Sequence, residues 1–186
     1  MMRLSISILP RRLTVVLVLA AALASPGCKR DQKVQVQPTV EEEDVPRLAS
    51  AVPMNNAKLE PQLVSGFYSI ENGSWRWTAK QFSVLLRSPA TAAQRGAVLS
   101  FEFSVPDPVI RKLHAVTLKA SVEGKPLTPE TYTKSGPYTF KRDIPASSIA
   151  GESVRIDFAL DKAMPPAGGD RRELGVVASS VALSPK

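Results

Sequence analysis

The chain contains one cysteine and one histidine in 186 residues, and each scarcity removes a class of chemistry. A lone Cys28 forms no intramolecular disulfide, so the fold must rest on its hydrophobic core. A lone His114 leaves no histidine-rich metal site and no Cys–His nucleophile pair, and it reads as a structural or surface residue. There is no Gly-x-Ser-x-Gly elbow to suggest a serine triad. The spacing of Glu71, Glu102, Asp157, Asp161 and Glu173 singles out no pair of acids for glycoside hydrolysis. Also missing is the run of roughly 20 apolar residues that spans a bilayer as a helix. No helical stripe extends beyond a turn around residues 146–150. The expectation is a protein that is not an enzyme, with no catalytic residue, no metal and no cofactor.

The N-terminus has a short apolar stretch. Arg3, Arg11 and Arg12 precede an aliphatic segment over residues 13–24, and Ala24-Ser25-Pro26-Gly27 leads to Cys28. A basic start, a short apolar centre and small residues are the parts of a secretion signal. The pattern resembles a bacterial lipoprotein signal, although Ser25 and Pro26 depart from the commoner Leu and Ala or Ser. The resemblance implies a signal peptide over 1–27 and a membrane anchor of acyl chains, palmitate among them, on Cys28. It places the protein in the cell envelope, on the outer membrane where a cell has two. The alternative is ordinary secretion after cleavage near Ala24, which leaves a free thiol in an oxidising compartment, a liability. One acyl chain holds a membrane marginally, and two or three hold it firmly.

The formal charge of +7 becomes +4 once the three leader arginines leave, too little to suggest a nucleic-acid partner. Aromatic residues are only 6% of the chain and none precedes Phe67. Residues 28–64 carry Pro38, Pro46, Pro53 and Pro61 and the acidic run Glu41-Glu42-Glu43-Asp44. Such a stretch buries too little apolar surface to offset chain entropy, and it reads as a flexible tether with a reach on the order of 30–35 Å.

From residue 65 to 186 the hydrophobic period is two. Phe82, Val84 and Leu86 alternate with polar neighbours, as do Leu99, Phe101, Phe103 and Val105. Val116, Leu118, Ala120 and Val122 follow the same rule, then Val154, Ile156, Phe158 and Leu160, and a last run of Val177, Val181 and Leu183. Shorter candidates cover 67–70, 75–78 and 138–144. Turn residues separate them, including Asn72-Gly73, Pro106-Asp107-Pro108 and Gly168-Gly169. About eight half-buried antiparallel strands in this length predict an all-β, two-sheet β-sandwich of jelly-roll type.

Gly66-Phe67-Tyr68, Glu71-Asn72-Gly73, Trp75-Arg76-Trp77-Thr78 and a late Arg172-Glu173-Leu174-Gly175 follow one another in order. This order resembles the galactose-binding-like β-sandwich modules of bacterial envelope and glycosyltransferase-associated proteins. The resemblance implies a fold and leaves function open, because fold alone does not fix function.

Trp75 and Trp77 share a strand face, with Arg76 on the other. Two indoles about 7 Å apart can form a platform for sugar rings, with Arg76, Glu71, Asn72 or Arg172 adding hydrogen bonds. The plainer alternative is that they close one end of the core, with Arg76 paired to Glu71 or Glu173. Arg171-Arg172-Glu173 can grip an acidic sugar or order a loop by an Arg–Glu pair. Tyr132, Tyr138 and Phe140 read as hairpin and core residues. The expected role is non-catalytic binding of an envelope or extracellular polysaccharide. The alternative is a structural lipoprotein that docks an envelope protein through a strand edge or sheet face.

Overall fold

The computed structural model describes residues 47–186, so the leader, Cys28 and the acidic run lie outside the described residues. The strands are β1 (Ala51–Pro53), β2 (Leu63–Phe67), β3 (Arg76–Arg87), β4 (Ala97–Val105), β5 (Val116–Val122), β6 (Lys125–Pro126), β7 (Glu130–Tyr132), β8 (Gly136–Ile144), β9 (Ser153–Leu160) and β10 (Val177–Pro185). Two short helices interrupt them, α1 (Ala92–Arg95) and α2 (Asp107–Leu113), with 3₁₀ turns at Ala57–Gln62 and Ala146–Ser148.

Every pairing is antiparallel, in the order β6-β5-β9-β3-β10-β4-β8, with β1 on β10, β2 on β3 and β7 on β5. The two halves meet in β3. Its first residues, Arg76 and Trp77, pair with β10, and its later ones, Gln81 to Arg87, pair with β9. The sheet thereby folds over on itself into the all-β sandwich that the alternating pattern predicts.

The inner faces enclose an aromatic centre. Phe82 stacks on Phe158 at 4.9 Å and Phe101 on Phe103 at 4.8 Å, with Leu118, Phe140, Ile144 and Ile156 fully buried around them. In β4 and β5 the buried residues alternate with more exposed ones, as a period of two requires.

Two expectations are corrected. The tether does not run to residue 64, because β1, the 3₁₀ turn and β2 are built into the fold. Val52 and Met54 are wholly buried. Gln62, 4% exposed, accepts from the Ala49 N–H at 2.8 Å and donates to the carbonyls of Ala49 (3.0 Å) and Leu85 (2.6 Å). Its amide replaces a missing stretch of strand ladder and pins the incoming chain to β3. In addition, Pro106-Asp107-Pro108 opens α2 rather than a bare turn, since Pro in a first helical turn sacrifices no hydrogen bond. The helix ends at exposed His114, which takes a positive φ of 66°.

The strands run lengthwise between two ends. Arg87 finishes β3 beside the incoming chain, its N–H donating to Ala49 O at 3.0 Å. Arg76 starts β3 at the other end, eleven residues earlier in the strand.

Candidate functional site

The site is built on the hairpin that joins β2 to β3. Asn72 and Gly73 both take positive φ (48° and 63°), which a tight hairpin turn demands and an Asn-Gly pair tolerates. Glu71 consequently faces Trp75 across the hairpin, with Glu71 N–H to Trp75 O at 2.8 Å. Directly opposed residues put their side chains on one face.

Trp75 and Trp77 both lie at intermediate exposure, outside the buried core, although Trp77 packs against its edge. Their ring centroids are 6.3 Å apart and their planes meet at 84°. Perpendicular indoles do not make one flat floor, so a ring stacks on a single indole face with the second as a wall.

Arg76 points inward and is 2% exposed. Its Nε donates to Met54 O at 3.1 Å, and its two terminal nitrogens reach Tyr68 O at 3.0 Å and Glu60 Oε2 at 2.9 Å. It therefore belongs to the frame and is not available to a surface ligand, and its carboxylate partner is Glu60 rather than Glu71 or Glu173. One buried arginine ties the start of β3, the chain after β1 and the turn before Glu71.

Arg172 arrives from the segment between β9 and β10. Its Nε and a terminal nitrogen fork onto Asp170 at 2.9–3.2 Å, and its other nitrogen donates to Glu71 Oε1 at 2.6 Å. The guanidinium lies 5.1 Å above the Tyr68 ring, whose hydroxyl donates to Glu173 O at 2.9 Å. The hydrogen bonds from Arg172's side chain, then its own backbone N–H, hold the half-exposed Asp170 carboxyl below its ordinary range. The same bonds to Asp170, then Glu71, push the guanidinium above its already high value.

Trp75, Trp77, Glu71, Asn72 and Arg172 are thus gathered at one end of the sandwich, and Arg76 is not among them. Two members escaped the sequence analysis as site residues, Tyr68 and Asp170. Tyr68 stood inside the Gly66-Phe67-Tyr68 motif, but nothing in the sequence marked its contact with Arg172 more than 100 residues away. Among the described residues, no group of three His, Cys, Asp or Glu side chains is placed to hold a metal ion. No described helix is long and apolar enough to cross a membrane.

No family model matches the chain, and no curated protein matches it. Solved structures do. One concerns CBM4, a carbohydrate-binding module, 14% identical over 67% of this chain and 80% of its own, with a TM-score of 0.33. Another is the structure of CBM51-2 in complex with GlcNAc and INT domains from Clostridium perfringens ZmpB. It is 13% identical over 74% of this chain, with a TM-score of 0.36, and the match spans 28% of that chain. No residue is carried over from either.

Proposed function

We propose that the protein is a membrane-tethered, non-catalytic module that binds a neutral polysaccharide of the cell envelope or its surroundings. The observation that carries this reading is the half-exposed Trp75–Trp77 pair, with Glu71 and Asn72 on the adjoining turn, at the Arg76 end of β3. A sugar presents an apolar C–H face to one indole and hydroxyls to the turn, where Glu71 Oε2 accepts and Asn72 both donates and accepts. The ligand is neutral because Arg172 is already engaged by two carboxylates, Asp170 and Glu71. That leaves the Arg172 fork unavailable to grip an acidic sugar. The acyl chains on Cys28 supply the tether and the envelope location.

A second reading has one observation in its favour. β8 closes the sheet order with β4 on one side only, and its nine residues offer an edge for a partner strand.

Full-length protein in detergent, screened against neutral and acidic glycans, tests the proposal. Neutral glycans should bind, and Trp75→Ala should weaken them at least tenfold, about 1.4 kcal/mol, with an unchanged unfolding midpoint. If no glycan binds, or Trp75→Ala binds like the parent, the site is not a sugar platform and the β8 edge becomes the surface to probe. Binding confined to acidic glycans would reject the neutral class alone.

A further inference from the structure

A cleft of about 900 Å³ opens at the other end of the sandwich, between the incoming chain, the loop carrying α1 and the loop before β9. Its volume lies within the roughly 300–1,000 Å³ of small-molecule sites. Leu48, Pro89, Ala93 and Ile149 supply its apolar wall, and no aromatic residue lines it. The cleft therefore offers no ring for stacking a sugar or a base, in contrast to the Trp75 end.

The polar groups are few and uneven in sign. Arg47 and Arg87 line the cleft against a single acid, Glu152, and none of these three is in an ion pair among the described residues. Ser88, also in the lining, has its hydroxyl oxygen buried without a partner among the described residues. A buried hydroxyl left unpaired is costly, and a ligand oxygen is one way to satisfy it.

We propose that this cleft binds an aliphatic acyl chain carrying an anionic head, carboxylate or phosphate. The chain lies on the aliphatic wall, which shields it from water. The head is met by the guanidinium forks of Arg47 and Arg87, whose planar donors suit either anion. Ser88 supplies a neutral donor at the wall. The inference stands apart from the sugar reading, since it shares no residue with it.

The test uses the full chain carrying Cys28→Ser, prepared without detergent so that nothing competes for the cleft. Laurate, dodecanol, phosphatidylglycerol vesicles and phosphatidylcholine vesicles are the probes, read by calorimetry for the soluble ligands and by co-sedimentation for the vesicles. Laurate should bind saturably at one site, and dodecanol at least tenfold more weakly. Ala93→Trp, at an exposed position of α1, should fill the cleft and abolish laurate binding without lowering the unfolding midpoint. Arg87→Gln should weaken laurate several-fold and leave dodecanol unchanged, so the proposal stays testable if the tryptophan variant misfolds. Phosphatidylglycerol binding that Ala93→Trp also blocks would assign the ligand to bilayer lipid. Laurate binding without it would assign the ligand to free fatty acid. No saturable laurate binding, equal affinity for dodecanol, or laurate binding indifferent to both variants would overturn the proposal. Vesicle binding without laurate binding would also overturn it, since surface charge alone explains that result.

Discussion

Arg76 sits where a strand with alternating sides would carry an apolar residue, and it fills that place with a cation whose donors are spent on two carbonyls and Glu60. Removing it strands the Met54 and Tyr68 carbonyls and empties a buried volume. Arg76→Ala should therefore cost about 3 kcal/mol, seen as a lower urea midpoint. An unchanged midpoint would show that the arginine is ornamental. Asp170 predicts a pH effect. Its carboxyl is held below the ordinary 3.8 by Arg172, so the stabilisation is present above that value and fades only as pH falls through the lower folded one. In the difference between the parent and Asp170→Asn, indole fluorescence near the site should change only below the usual carboxylate range. Asp170→Asn should abolish that acid step. A step centred on the ordinary carboxylate value would mean that the Arg172 contact does not persist in solution.

The elements that were legible in advance are those whose burial alternates along a long strand, such as β4, β5 and β9. β1 and β2 were not, because they contribute few buried apolar side chains, and Pro53 at the end of β1 and Pro61 in the 3₁₀ turn before β2 read as tether prolines. The anchoring amide of Gln62 has no hydropathic signature at all. α2 was hidden because its prolines read as turn residues. The motif order Gly66 … Gly175 does have a physical account at this scale. β3 changes partners from β10 to β9 around residues 78–81, and both glycines lie against that crossing. A Cβ on Gly175 would come within 2.6 Å of Thr78 Oγ1 and 2.8 Å of Ala79 O. A Cβ on Gly66, which has φ of 73°, would strike the Gln81 carbonyl and the Phe82 backbone. Backbone cannot swing aside as a side chain can. Gly66→Ala should cost about 3 kcal/mol or prevent folding, read by thermal unfolding. Full stability would mean that β2 does not pass so close.

At the scale of the molecule, half of the candidate site was visible from sequence. Trp75, Trp77, Glu71 and Asn72 are neighbours along the chain, so a hairpin reading gathers them. Arg172 was offered beside the indoles but without its partners, and Asp170 and Tyr68 went unassigned as site residues, because their meeting depends on a fold-over that no local pattern encodes. The anchor proposal is tested separately. Cys28→Ser should shift the protein from the membrane to the soluble fraction, and a serine variant that remains membrane-bound after normal processing would remove the lipid from the account.

The direction of the strands has a mechanical consequence. If a ligand held at Trp75 is pulled against a chain fixed through Arg47, the load runs nearly parallel to β3. Ladder hydrogen bonds lie across the strands, so that load shears many of them together instead of peeling them one by one. The Gln62 amide, the Arg87–Ala49 backbone bond and the β1–β10 pairs are the first to feel it, because they join the incoming chain to the body of the sandwich. On the sugar and anchor proposals together, the fold is oriented to bear tension along its length.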